Sequence, residues 1–307
     1  MGKTEFQSQW LGGSLQIAGS ELVGNCYYVD STNGASTNSG TSWSNALATV
    51  DQAVAKCTAN HGDRIYCAPW HAESEAVTVT SIFTMSTAGV SLIGCKQGNQ
   101  MPTFTFTIAD ATATVTGANC VVKNCKFVSG IVDLAVALTL GAASDGTVVE
   151  DCIFTDGGTA ILEMVIGIRL AALASDITIN RCSFYTTAAG SGTLAGIEAA
   201  GAADRLRITN CVFAGDWNTQ APIDLLTAAS VHILIADNII YQLDAATGYG
   251  ISVHATTTGS IVRNLIFAGK NTVAAISAAK CHCCENYETT VEAESGNIVP
   301  AVGNWAA

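Results

Sequence analysis

Three charged residues stand at the centre of three similar triplets of this chain, and together they have the composition of an acid–base site. Arg169, Glu198 and Asp224 each lie between two apolar residues. In a β-strand, the middle residue of such a triplet points away from the face that carries its neighbours. Two carboxylates about 5 Å apart suit a retaining glycosidase, and their repulsion raises the pKa of one of them. If the chain is an enzyme, these three residues are its candidate catalytic groups.

The same residues also fit a surface without catalytic function. Outward positions of exposed strands are polar by default, and an ion pair between Arg169 and Glu198 on such a surface contributes little to stability. The chain has no cluster of aspartates suited to calcium and no long aromatic-rich loop that would form a sugar-binding groove. We therefore expect a protein that is not an enzyme and that needs no cofactor.

Cysteine recurs in this chain at a regular interval. The segment 122–127, with the sequence VKNCKF, returns at 149–154, 179–184 and 208–213, and in weaker form at 235–240 and 262–267. Successive copies begin 27 to 30 residues apart, and an earlier copy begins at Leu92. Because cysteine is a small and frequently buried residue, we expect a stacked inward row of thiols rather than a reactive site. The row consists of Cys95, Cys125, Cys152, Cys182 and Cys211.

A second group of cysteines near the end of the chain has the side chains of a zinc site. Cys281, His282, Cys283 and Cys284 are all possible ligands. A structural zinc site usually draws on two separated ligand pairs, and the nearby sequence offers no second pair. Alternation in a strand would also place the first and third of these residues opposite the second and fourth. We therefore favour a last strand over a metal site.

The repeat predicts how the chain positions all these residues. An apolar-polar-apolar triplet such as 138–140 precedes each cysteine motif by about 11 residues, and each is a short strand with one buried face. An Asn or Asp before the cysteine or its equivalent fits a sharp left-handed turn, as at Asn124, Asp151, Asn210, Asp237 and Asn264. Three short strands per repeat cannot bury a core alone, whereas stacked coils about 4.8 Å apart can. The prediction is an all-β, right-handed parallel β-helix.

The chain divides into four predicted parts. Residues 1–25 form a docking arm, and 26–64 hold a lead strand and an α-helix over 44–57 that caps the open end of the stack. The β-helix itself covers 65–284, and 285–307 form a C-terminal tail. With the V-x-N-C-x-F repeat, residues 60–285 resemble the pectin-lyase-like superfamily.

Composition narrows the classes of partner. The net charge of −12 disfavours nucleic acid, and the chain has no run of 18 apolar residues that would span a membrane. Only 12% of the residues are charged, which suits a surface covered by neighbouring molecules. The start of the chain has no basic residue cluster followed by an apolar region, so we expect assembly in a cytoplasm rather than secretion.

An apolar row on the outside of the predicted stack indicates an interface. The residue after each cysteine points outward, and in the second half of the chain this position is mostly branched and apolar. Either the tail 285–307 or a partner should cover it. The expected interface comprises Ile153, Val212, Ile239 and Ile266 on the coils, and Trp10, Leu11 and Leu15 in the arm. A homo-oligomer, for example a trimer, would bury this row.

The chain also resembles uncharacterised proteins of tailed bacteriophages. The resemblance lies in the lead YYVDSTNG…GTSWSNALATVDQAV, the step GDRIYCAPWHAE and the N-C-x-F coils. It implies a virion component made in the host cytoplasm, such as a capsid decoration protein that contacts the major capsid protein. The alternatives are a tailspike-type polysaccharide depolymerase or lyase and a non-catalytic glycan-binding adhesin. The adhesin would need exposed aromatic residues, for which Trp70 and Trp217 are the candidates.

Overall fold

The computed structural model describes residues 24–75, 81–158, 162–186, 194–217, 221–242, 249–268 and 276–289, and the backbone of 9–11, 14–16 and 299–300. Three long sheets of short strands run along the chain, and nearly all neighbouring strands in them are parallel. The predicted all-β parallel β-solenoid is therefore confirmed.

Each coil contributes one strand to each sheet in turn. Sheet 1 contains Cys26–Val29, Arg64–Cys67, Ser91–Gly94, Val121–Lys123, Val148–Glu150, Thr178–Asn180, Arg207–Thr209, Ile233–Ala236, Gly259–Val262 and His282–Cys284. Sheet 2 contains Ala72–Ser74, Thr103–Phe106, Lys126–Ser129, Ile153–Thr155, Ser183–Tyr185, Val212–Gly215, Ile239–Gln242, Leu265–Ala268 and Tyr287–Thr289, with Val299–Pro300 added antiparallel at its end. Sheet 3 contains Ser81–Met85, Thr112–Val115, Leu138–Leu140, Ile166–Leu170, Ala195–Ala199, Ile223–Leu225, Ile251–Val253 and Ile276–Ser277.

The turn from sheet 1 to sheet 2 has the predicted left-handed residue. Asn124, Asp151, Asn210 and Asp237 have φ between 55° and 59°. In the following coil the left-handed residue is Arg263 rather than Asn264, so the predicted alignment is one residue off there. The reason is spacing: Ile239 pairs with Leu265, a step of 26 residues that is shorter than the steps before it.

Phenylalanines fill the inner side of sheet 2. Phe127, Phe154, Phe184 and Phe213 stack on successive coils with ring centroids 4.9, 4.9 and 4.7 Å apart. All four are buried. Each buried ring contributes about 1.5–3 kcal/mol, and stacked contact adds about 0.5–1.5 kcal/mol. This row holds adjacent coils in register.

The cysteine row is present in four coils and then changes its chemistry. Cys125, Cys152, Cys182 and Cys211 are buried at the turn into sheet 2, as predicted. Cys95 is exposed, because residues 95–102 form a longer loop and Pro102 takes its place in the stack. After Cys211 the same position is occupied by asparagine, in a row of buried side chains made by Asn238, Asn264 and Asn286.

The predicted helix over 44–57 is shorter in the structure. A 3-10 turn covers Trp43–Asn45, and the α-helix covers Val50–Val54. The helix begins there because Thr49 and Gln52 form a capping box. Leu47, which the helical pattern included, instead forms a β-bridge with Val29.

Among the described residues, no helix is long and apolar enough to cross a membrane.

Candidate functional site

Arg169, Glu198 and Asp224 lie side by side on the outer face of sheet 3. Arg169 pairs with Glu198 in the strand register, and Glu198 pairs with Asp224. Their apolar neighbours in each triplet point into the core, which is why the charged residue points out. Thr139 precedes Arg169 in the same row, and Ser252 follows Asp224.

A β-bulge precedes Glu198 and sets the course of its strand. The backbone N–H groups of Gly196 and Ile197 both donate to the carbonyl oxygen of Pro222, at 3.0 Å each. A Cβ atom on Gly196 would lie 2.8 Å from the ring of Phe213, so the core requires glycine here. The outward side chain of Glu198 is therefore supported by a rigid strand end.

Arg169 holds Glu198 in an ion pair. Its Nη2 and Nε atoms donate to the same carboxylate oxygen, Oε2, at 3.0 and 3.3 Å. The second carboxylate oxygen, Oε1, is not used in this pair. The pair fixes the Glu198 carboxylate one strand away from Asp224.

Asp224 is almost enclosed even though it lies on an outer face. Its exposed fraction is 4%, and its carboxylate accepts one hydrogen bond from a described residue, the Leu226 N–H at 3.0 Å. Burial raises the pKa of Asp224, the nearby Glu198 carboxylate raises it further, and the bond from Leu226 lowers it. A carboxyl group that tends to keep its proton thus stands next to a carboxylate that is ion-paired with an arginine. This is the arrangement that acid–base chemistry requires.

A second surface lies on the outer face of sheet 2. Val212, Ile239, Leu265 and Tyr287 occupy one outward row, and Tyr241 and Phe267 occupy the next. These six residues are named the apolar strip. Tyr287 is 46% exposed, and the rings of Tyr241 and Phe267 stack at 4.6 Å. Tyr241 and Phe267 each follow an outward residue by two positions in the same strand. Because side chains in a strand alternate between faces, this spacing could have predicted both as outward residues.

One predicted member of this surface is in the core. Ile266 is fully buried and pairs with Ile240. The 26-residue step shifts this strand by one position relative to the predicted alignment. A shift of one residue exchanges the two faces of a strand. Leu265 takes the outward place, and Phe267 is outside rather than inside. Ile153 lies on the predicted row and is half-buried.

The docking arm contributes a short hairpin. Gln9–Leu11 pairs antiparallel with Ser14–Gln16. Trp10, Leu11 and Leu15 lie in these strands, but their side chains are outside the described part of the chain. Their role in an interface stays a prediction.

The two candidate tryptophans of an adhesin differ in the structure. Trp217 is buried and packs edge-on against Phe213, so it offers no surface for a ligand. The prediction that Trp217 is exposed is therefore wrong. Trp70 is exposed.

The four residues of the possible zinc site do not converge. His282 is exposed, Cys283 is buried, and Cys281 and Cys284 are half-buried. They belong to a strand of sheet 1 that pairs with Gly259–Val262. Within the described ranges, no group of three or more His, Cys, Asp or Glu side chains is placed to hold a metal ion.

Known structures share the architecture of this chain. A rhamnogalacturonan lyase matches 80% of this chain over 68% of its own length, with a TM-score of 0.50 and 17% identity. This chain shares the parallel β-solenoid fold of that protein. Two structures of GH136 lacto-N-biosidase from Eubacterium ramulus cover 87% of it at 11% identity, over 68% of their own length, with TM-scores of 0.42 and 0.45.

The sequence itself adds no relative to these. No protein-family model and no curated protein sequence matches the chain. At the identities above, the structural likeness shows the pectin-lyase-like solenoid fold alone, which supports many functions. None of these three structures links the chain to a phage particle.

Proposed function

We propose that this protein is a structural component of a bacteriophage particle, in the simplest case a capsid decoration protein, that assembles with copies of itself through the apolar strip. The observation that carries the proposal is the strip itself. Large apolar and aromatic side chains stand on neighbouring strands where a solvated solenoid would carry polar ones. The resemblance to phage proteins supplies the setting.

The strip suits a second copy of this chain for an electrostatic reason. With a net charge of −12, two copies repel each other over most of their surfaces. Val212, Ile239, Leu265, Tyr241, Phe267 and Tyr287 are all uncharged. Contact there buries apolar area, at about 25 cal/mol per Å², without bringing carboxylates together. A closed symmetric ring of copies would leave no strip exposed.

The first test is the mass of the purified chain in solution. Wild type should have a light-scattering mass that is a multiple of 31.6 kDa. Ile239→Lys combined with Leu265→Lys should reduce it to the monomer, while the matched control Ser260→Lys, on the outer face of sheet 1, should leave it unchanged. Circular dichroism verifies that the fold is intact. A monomeric wild type, or an unchanged mass in the double variant, contradicts the proposal.

The second test addresses the particle. Quantitative mass spectrometry of purified particles from the source should find this chain in copy numbers of the same order as the major capsid protein. A handful of copies would indicate a spike or fibre. Complete absence would refute the virion assignment.

A second candidate function, a polysaccharide depolymerase, rests on the raised pKa of Asp224 beside Glu198. In a retaining hydrolase, the Glu198 carboxylate would attack the anomeric carbon while Asp224 protonates the leaving oxygen. Asp224, now ionised, would then take a proton from the water that releases the sugar from Glu198. Arg169 would hold the Glu198 carboxylate in place. The likeness to polysaccharide-acting enzymes is compatible with this candidate but concerns the fold only.

Cleavage of host capsular glycans tests this candidate. Wild type should release new reducing ends, and Glu198→Gln and Asp224→Asn should each reduce the rate by at least about 10²-fold. Thr139→Ala, in the same outward row, is the control that should retain activity. Equal rates in all four proteins would exclude these carboxylates.

A further inference from the structure

Trp70 has a backbone conformation that bulky residues rarely adopt. Its φ is +63°, and its side chain is 59% exposed. Most other non-glycine residues with positive φ in the described part are Asn, Asp or Arg, and none is another Trp, Tyr or Phe. Left-handed backbone strains a residue that has a Cβ atom, and an exposed ring recovers little of that strain through packing. The fold alone gives no reason for tryptophan here.

Two loops hold this turn in place. On one side, the N–H of Trp70 donates to the carbonyl oxygen of Gln100 at 3.1 Å. On the other side, the N–H of Ala72 donates to the hydroxyl of Ser31 at 2.9 Å, and the N–H of Ser31 donates to Nδ1 of the buried His71 at 3.0 Å. The strained turn is therefore fixed by hydrogen bonds of its backbone to Ser31 on one side and to Gln100 on the other, and the indole is exposed.

The loop that binds Trp70 is itself an exception in the solenoid. A coil such as Val121–Lys123 reaches sheet 2 through two residues, 124 and 125, whereas the coil with Ser91–Gly94 uses 95–102. This insertion displaces Cys95 from the buried row. Its exposed residues include the amides Asn99 and Gln97, and Nε2 of Gln97 donates to Oδ1 of Asn124 at 3.3 Å while its side-chain oxygen can still accept. Lys96 is the one charged residue in 95–101. An extra loop rich in amides thus contacts the strained, exposed tryptophan.

We propose that Trp70, Gln97 and Asn99 form a binding site for neutral saccharides. The apolar face of an indole packs on the C–H face of a sugar ring, and side-chain amides both donate to and accept from sugar hydroxyls. The net charge of −12 disfavours acidic polymers. The site lies near the N-terminal end of the solenoid, away from the apolar strip and from Glu198, and it depends on neither.

Affinity electrophoresis of the full chain tests the proposal. Native gels contain dextran, laminarin, galactomannan or xyloglucan as neutral probes, or alginate as an acidic one. At least one neutral polymer should slow the wild type, and Trp70→Ala should weaken that binding by at least about tenfold. Trp43→Ala, which removes another exposed tryptophan at 44% exposure, is the matched control and should bind normally. Retardation by none of the neutral polymers, or by alginate alone, overturns the proposal, as does equal binding by both variants.

A second variant separates binding from folding. Trp70→Asn places a residue that tolerates left-handed backbone in the same turn, so it should unfold at the same or a higher temperature than wild type. It should nevertheless lose retardation as Trp70→Ala does. A lower unfolding temperature in Trp70→Asn would assign the indole a packing role and overturn the proposal.

Discussion

The side-chain amide of Asn238 donates to the side-chain oxygen of Asn264 at 2.9 Å. Asn264 donates in the same way to Asn286 at 2.9 Å, and each amide also donates to a strand carbonyl. The row continues the cysteines of the preceding coils, since the N–H of Cys211 donates to Asn238 at 2.9 Å. The solenoid thus uses small thiols in its middle and fully bonded amides near its C-terminal end.

Replacing the central amide should therefore be more damaging than removing a thiol. Asn264→Ala leaves several buried backbone and side-chain groups unpaired, which should lower the free energy of unfolding by about 3 kcal/mol. Cys182→Ala is the matched control in the thiol row and should lower it by about 1 kcal/mol. Urea denaturation measures both. Equal losses would mean that the amide bonds add nothing beyond filling space.

Asp224 should make the fold less stable as pH rises. Because the folded chain holds the Asp224 proton more tightly than the unfolded chain does, this stabilisation is complete below the ordinary pKa of 3.8 and is lost as pH rises through the raised pKa. Asp224→Asn should therefore unfold at a higher temperature than wild type at neutral pH. The difference should vanish below about pH 3.8, as thermal scans across pH will measure.

Asp237→Asn is the control of opposite sign. Its hydrogen bonds with Arg263 lower the pKa of Asp237, so this contribution is present above the ordinary value of 3.8 and is lost as pH falls through the lowered pKa. The variant should be less stable than wild type at neutral pH and equal to it in acid. If Asp224→Asn were also less stable than wild type at neutral pH, the raised pKa assigned to a buried Asp224 would be wrong.

Two phenylalanines on opposite faces of sheet 2 should respond differently to truncation. Phe184→Ala empties a buried place between two stacked rings and should lower the free energy of unfolding by about 3–5 kcal/mol. Phe267→Ala removes an outward ring and should affect stability by less than about 1 kcal/mol. Chemical denaturation in the Ile239→Lys, Leu265→Lys background, in which the chain should be monomeric, measures the difference. A large loss in Phe267→Ala would contradict its outward place.

The thiols should divide into reactive and protected groups. Cys95 is exposed, although partial burial raises its pKa above the ordinary value, whereas Cys152 and Cys182 are fully buried and burial raises their pKa well above it. Iodoacetamide at about pH 8 should modify Cys95 in the native chain and the other two only after denaturation. Peptide mass spectrometry locates the modified residues. Rapid modification of native Cys152 would disprove the buried row.

Most of the fold follows from the sequence because the repeat carries it. The phenylalanine and cysteine of each motif and the left-handed residue at Asn124 or Asp151 encode a coil by local rules. The prediction was wrong where a coil changes length. The eight residues after Gly94 remove Cys95 from the stack, and the short step to Leu265 moves Ile266 inside. An inserted or deleted residue does not change the strand and turn preferences of the residues around it. A repeat aligned at fixed spacing therefore cannot detect such a change in coil length.

The candidate site was predictable in part. The row of Arg169, Glu198 and Asp224 follows from the strand triplets alone. In the structure these residues pair with one another on adjacent strands. The enclosure of Asp224 and the exposure of Trp70 depend on loops of other coils, which triplets do not encode. Trp217 was misplaced for the same reason.

The left-handed turn residues also keep a repetitive chain from pairing with the wrong copy of itself. Asp151 binds Arg181, and Asp237 binds Arg263, each one coil apart, with the neutral Asn210 between the two pairs. Coils with nearly the same sequence could stack in a shifted order at little loss of apolar contact. If the coil of Asp151 stacked directly on the coil of Asn210, Asp151 would lose its cation. The charged residues at these turns thus distinguish coils of similar sequence. They make the native stacking order lower in energy than a shifted order.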